Sequence, residues 1–180
     1  MIEILAALSI SAATGIRLAV PVLLIGLLQG QSFWSQIPIL SHISTNLLCG
    51  LLTSWSMLEL FATKKLLGQR VIQLLQLLFS PFLGAIMGIG VASANTAPQW
   101  LIAIICGLLA LVIQLVQVGW FYRLRGLPTW AVFIQDALCI ALVYLAVDAP
   151  WHGGIIALFL LWFALRSSQE WYKWYHVKKV

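Results

Sequence analysis

The chain has 180 residues, 62% of them hydrophobic and 8% charged, with a mean hydropathy of +1.01. Soluble domains carry roughly 25% charged residues, so too little charge is present to clothe a water-soluble surface. The formal charge of +5 does not point to nucleic acid, because the basic residues sit in short connections between apolar runs, where they set membrane topology.

The expected fold is one all-α domain, a polytopic transmembrane bundle of about six spans, since a span needs about 20 mostly apolar residues. The first span covers 4–28. It lacks the positive leader of a signal peptide and runs through Arg17 without a break in hydropathy, so it is read as retained. Pro21 lies one turn beyond Arg17, and the sequence leaves open whether this helix is continuous or broken. The remaining spans cover 46–62, 71–93, 98–122, 129–147 and 151–165, and 166–180 forms an aromatic and basic tail.

Orientation follows from the connections. Lys64, Lys65 and Arg70 follow the second span, Arg123 and Arg125 the fourth, and Arg166, Lys173, Lys178 and Lys179 the sixth. The alternate connections carry no Lys or Arg, so the positive-inside bias puts both termini on the cytoplasmic side. Trp34, Trp100 and Trp151 fall at the outer boundary and Trp120, Trp130, Trp171 and Trp174 at the inner one, as an interfacial belt requires. Cys49, Cys106 and Cys139 sit within apolar runs and form no metal or redox pattern.

Two spans carry small residues every fourth position: Ala7, Ser11, Gly15 and Ala19 in the first, Ser80, Gly84, Gly88 and Ala92 in the third. Such stripes let helix backbones approach closely in lipid. Each has a proline nearby, Pro21 or Pro81, which frees a carbonyl and can kink a helix. One reading is tight packing. The other is a pair of discontinuous helices in an inverted repeat. The fourth span shows no matching stripe around Gly107, which weighs against the repeat.

Polar residues recur at one depth. Glu59, Gln73, Gln76, Gln114, Gln117, Gln135 and Asp136 all fall about 4 to 12 Å from the cytoplasmic helix ends at 1.5 Å per residue. Arg17 lies deeper, roughly 20 Å in if the first span is regular. An intramembrane arginine needs a partner, and its guanidinium suits a carboxylate. Asp136 is the first choice and Glu59 the second. The layer reads either as a structural cluster fixing helix register, or as a cytoplasm-facing cavity for a small solute, ion or proton. In the second reading, two acids against one arginine leave one to carry a proton. No catalytic triad, metal cluster or phosphate loop is present, so neither an enzyme nor a cofactor is expected.

The runs AATGIRLAVPVLLIGLL, WSMLELFATK, SPFLGAIMGIG and QDALCIALVYLAV, in that order, resemble the bacterial membrane proteins grouped as domain-of-unknown-function family 4126. That family shows small-G-(I/L)-R-x-x-x-P, LLEFLADK, RPLAGA and a later acidic residue. The resemblance spans nearly the whole chain and picks out Gly15, Arg17, Pro21, Glu59, Lys64, Pro81, Gly84 and Asp136. Thr63 and Ser80 depart from it, standing where an aspartate and an arginine are common, so an ion pair near the inner face is missing. The resemblance implies a bacterial inner, or equivalent internal, membrane and supplies no activity. Two functions are therefore expected as alternatives. One is a permease-like protein for a small solute or ion. The other is a non-catalytic subunit of a larger membrane complex, docking through the stripes and tail; a homo-oligomer is compatible with the first.

Overall fold

The computed structural model describes residues 2–29, 45–62, 66–92, 98–124 and 129–177. Every regular element among them is a helix: α1 (Ile2–Ile16), α2 (Ala19–Gln29), α3 (Thr45–Ala62), α4 (Leu66–Val91), α5 (Gln99–Leu124), α6 (Thr129–Asp148) and α7 (Pro150–Val177). Three of them contain stretches long and apolar enough to cross a membrane, Arg70–Val91, Gln99–Phe121 and Trp130–Asp148. Shorter apolar stretches occupy α1, α2 and α3. The large apolar side chains these helices turn outward, such as Leu78, Phe82, Ile104, Phe133 and Phe159, are those of a protein solvated by lipid.

α1 is the axis of the bundle. From Ala6 to Ile16 it is buried on nearly all sides, packed by α4, α5, α6 and α7. Its small residues make this possible. A Cβ added at Gly15 would stand 2.8 Å from the Ala110 carbonyl oxygen and 3.0 Å from its Cα, so α5 crosses against bare backbone there. The stripe on α4 meets the same face of α5, where a Cβ on Gly88 would lie 2.6 Å from the Cys106 Sγ. Both stripes therefore converge on Cys106, Gly107 and Ala110, a third small surface built from mixed residue types.

The first apolar run is two helices, not one. The chain leaves helical geometry at Arg17 and Leu18. Pro21 explains the position: it has no N–H for the Arg17 carbonyl, and its ring crowds that carbonyl. In the first turn of α2 the same missing donor costs nothing, because N–H groups there have no intrahelical partner.

Contacts along the helices fix their directions. Ser9 reaches Leu142, Ala13 meets Cys139 and Arg17 meets Asp136, so α1 and α6 are antiparallel. Ser11 bonds Cys106 and Gly15 packs on Ala110, so α1 and α5 are parallel. Gly153 and Gly154 abut Ser9 and Leu5, and Ile16 shares a cleft with Leu160 and Ala164, so α7 is parallel too. The start of α1 thus lies at the end holding the 92–98 and 148–150 connections, opposite Arg70, Arg123 and Arg166. This corrects the expectation that both termini share the basic side. Counting the first apolar run as one crossing produced that expectation. With the run divided at Arg17 and Leu18, that count no longer holds.

Candidate functional site

The charged centre forms where α1 ends. Arg17 is 6% exposed, and its Nε stands 2.7 Å from Asp136 Oδ1. The contact is an ion pair by proximity, since Nε–H is not aligned as a directed hydrogen bond. Asp136 keeps 26% of its side chain exposed, so one member of the pair is buried and the other is partly buried. The backbone N–H of Arg17 still donates to the Ala13 carbonyl at 3.0 Å, which anchors the residue to α1 just before the break. Asp136 lies seven residues into α6, about 10 Å from its start. Arg17 is therefore shallower from the basic end than an N-in helix would place it, and its partner needs no long reach.

The same depth holds an amide pair. Gln114 Nε2 donates to Gln76 Oε1 at 3.3 Å across the α4–α5 seam, and both side chains are buried. Gln73, Gln76 and Ser80 occupy one face of α4 at helical spacing and are all buried. Three oxygens of this seam, Gln73 Oε1, Ser80 Oγ and Gln114 Oε1, have no hydrogen-bond partner among the described residues. A buried acceptor left in that condition costs about 1–3 kcal/mol.

Gln117 and Gln135 go elsewhere. They line a cleft of about 320 Å³ between α5, α6 and α7, floored by Ile16. Apart from these two amides its wall is apolar, with Trp120, Trp130 and Phe163 toward the basic end. The Trp120 indole donates to Ser167 Oγ at 3.0 Å and so ties α5 to α7 beside it.

The predicted polar layer thus exists at one depth but is divided. Arg17 joins Asp136 and Gln76 joins Gln114, whereas Gln117 and Gln135 face a separate, largely apolar space. The side chain of Glu59, and the whole of Thr63 and Lys64, lie outside the described residues. Of the packing residues, Gly15, Gly84 and Gly88 sit at helix contacts, and Pro81 presents its carbonyl to Gly107. Sequence reasoning missed the hydroxyl ladder of α1. Ser9 donates to the Leu142 carbonyl at 2.8 Å, Ser11 donates to the Cys106 carbonyl, and Thr14 donates back to Ser11 at 2.8 Å. Serines on a small-residue stripe, at a spacing of two to three, were the available signal. No group of three or more His, Cys, Asp or Glu residues suited to a metal occurs among the described residues.

A broken central helix carrying a buried ion pair, surrounded by apolar helices, defines a membrane-embedded helical protein. Residues 4–170 match the family described as Domain of unknown function (DUF4126), and the chain belongs to that family. No curated protein and no solved structure matches it.

Proposed function

We propose that the protein is permease-like, passing a small solute or ion, with Arg17 and Asp136 as its moving charge pair. The observation that carries this reading is the break at Arg17–Leu18 beside a buried guanidinium whose carboxylate partner is still accessible. Discontinuous helices at such depth recur where transporters bind ions, because the break exposes backbone dipoles and supplies a hinge. A proton or cation reaching Asp136 competes with Arg17 for the carboxylate. Once Asp136 is neutralised, Arg17 loses that counter-charge within the bundle, which favours movement of α2 relative to α1. In this reading the basic end faces the cytoplasm and the membrane is the inner membrane of a bacterium or its equivalent.

The test is flux into liposomes containing the purified protein, compared with Asp136→Asn and Arg17→Lys. Ion and proton leak above that of empty liposomes, abolished by both substitutions in proteins that keep their helicity and melting temperature, supports the reading. Wild-type protein that conducts nothing and purifies with a stoichiometric companion chain defeats it in favour of a complex subunit.

A further inference from the structure

Three helices meet where α1 ends. A Cβ added at Gly84 of α4 would lie 2.5 Å from the Ala110 Cβ of α5 and 3.4 Å from the Ser11 Oγ of α1, so these positions share one level. α1 and α5 run parallel and α4 opposes them, so one turn toward the basic end brings Gly15, Gln114 and Ser80 to the next level. The packing of Gly15 agrees, since its Cβ would stand 3.1 Å from the Ile113 Cβ, beside Gln114 in sequence. Ser80 is 0% exposed and Gln114 1%. Ser80 Oγ and Gln114 Oε1 have no hydrogen-bond partner among the described residues. Gln73 Oε1, two turns nearer the basic end on the same face of α4, is in the same condition.

The end of α1 adds carbonyl oxygens to this level. Helical geometry stops at Ile16, and the bond from the Arg17 N–H to the Ala13 carbonyl is the last of the helix. The carbonyls of Thr14, Gly15 and Ile16 therefore lack an intrahelical donor, and they point along the axis toward the level of Ser80 and Gln114. They also carry the negative end of the helix dipole. Arg17 leaves on another side. With Ser9 and Ala13 it forms the row facing α6, about 200° around the axis from Ser11 and Gly15.

We propose that a desolvated monovalent metal cation, sodium or potassium, is held here by Ser80 Oγ, Gln114 Oε1 and the terminal carbonyls of α1. Neutral carbonyl and amide oxygens can stand in for the hydration shell of such an ion inside a membrane protein. A water would bring two donors but also lone pairs that only the Ser80 hydroxyl could answer, whereas a cation asks for oxygen alone. A divalent ion is disfavoured because it draws on carboxylates, and Asp136 is turned to Arg17. The ion would tie α4 and α5 to the joint between α1 and α2. The site lies apart from the Arg17–Asp136 pair, and its occupancy does not depend on transport.

The experiment is thermal unfolding of the purified protein in detergent, exchanged into N-methylglucamine chloride and titrated with sodium or potassium chloride at constant ionic strength. One of the two ions should raise Tm saturably, by about 3–6 °C at about ten times Kd. Ser80→Ala removes an oxygen that bonds no described group, so without the ion it should be no less stable than wild type. In the titration its apparent Kd should rise by about tenfold or more. Equilibrium dialysis with the radioactive form of the stabilising ion should find one per chain, which keeps the test decisive if unfolding in detergent is irreversible. Equal Tm in the three salts, or no retained ion, overturns the proposal. A shift that Ser80→Ala keeps in full overturns the site. A loss of stability in Ser80→Ala that is the same in all three salts assigns these oxygens to bound water and overturns the cation. Wild-type protein that passes no ion in liposomes yet retains it in dialysis leaves this inference standing and counts only against the permease reading.

Discussion

The two faces of α5 differ more than any two helices in the molecule. One face, Cys106, Gly107, Ala110 and Gln114, is pressed against α1 and α4 with no room for a methyl group. The other, Ile113, Val116, Gln117 and Trp120, opens on a cleft of about 320 Å³. Both are built mostly from apolar residues of the same helix, so hydropathy does not separate them. Side-chain size does. Small residues admit a neighbour's backbone and give a dry contact, whereas large residues hold neighbouring helices apart.

Substitutions can break or sharpen that contrast, and unfolding in detergent followed by circular dichroism measures each. Gly15→Leu drives a side chain into the Ala110 backbone. It should cost more than about 3 kcal/mol or prevent assembly, since overpacking that cannot be relieved by side-chain movement exceeds the usual range. Next comes Asp136→Leu, which takes from Arg17 the carboxylate 2.7 Å from its Nε. About 2–4 kcal/mol is expected, below the full cost of breaking a sealed ion pair because Asp136 is partly exposed. Gln114→Leu should cost about 1–3 kcal/mol by removing the donor to Gln76 Oε1, and Gln76→Leu with Gln114→Leu should cost less than the sum of the two single substitutions. Removing one hydroxyl, as in Ser9→Ala, should cost about 0.6 kcal/mol, the mean for interhelical hydrogen bonds in membranes. On the open face Ala131→Leu should change stability by less than about 0.5 kcal/mol. A large loss there would mean that the two faces are equally tight.

Much of this was legible beforehand because lipid imposes simple rules on sequence. The helices α3 to α6 begin and end within five residues of the predicted spans, set by hydropathy and by the charges between them, whereas α7 starts where expected and runs on to Val177, well past the predicted end at 165. Asp136 could be named as the partner of Arg17 because few acids were available at a suitable depth. Direction was harder. Positive charge orients a crossing only after the crossings have been counted, and the consequence of Pro21 could not be weighed from one strand of sequence. Facing was harder still. Gln114 and Gln117 stand three residues apart, about 60° around a helix at 3.6 residues per turn. That small angle is enough to straddle the border between two neighbours, so one joins α4 and the other the cleft. Gln135 and Asp136 separate by the same logic. An accessibility test sharpens the corrected topology: single cysteines replacing Glu3 and Ser168 should react with an impermeant reagent from opposite sides of the membrane.

The central position of α1 also has a consequence for biogenesis. Its neighbours on every side are translated after it, and it ends on a guanidinium whose counter-charge is synthesised more than a hundred residues later. Until α6 emerges, α1 has no finished place in the bilayer, so it must wait near the translocon, at the membrane surface or with a chaperone. A helix translated before all its neighbours is enclosed only after they follow, and ribosome-bound chains stopped before and after α6 should differ in whether residues 2–16 resist protease.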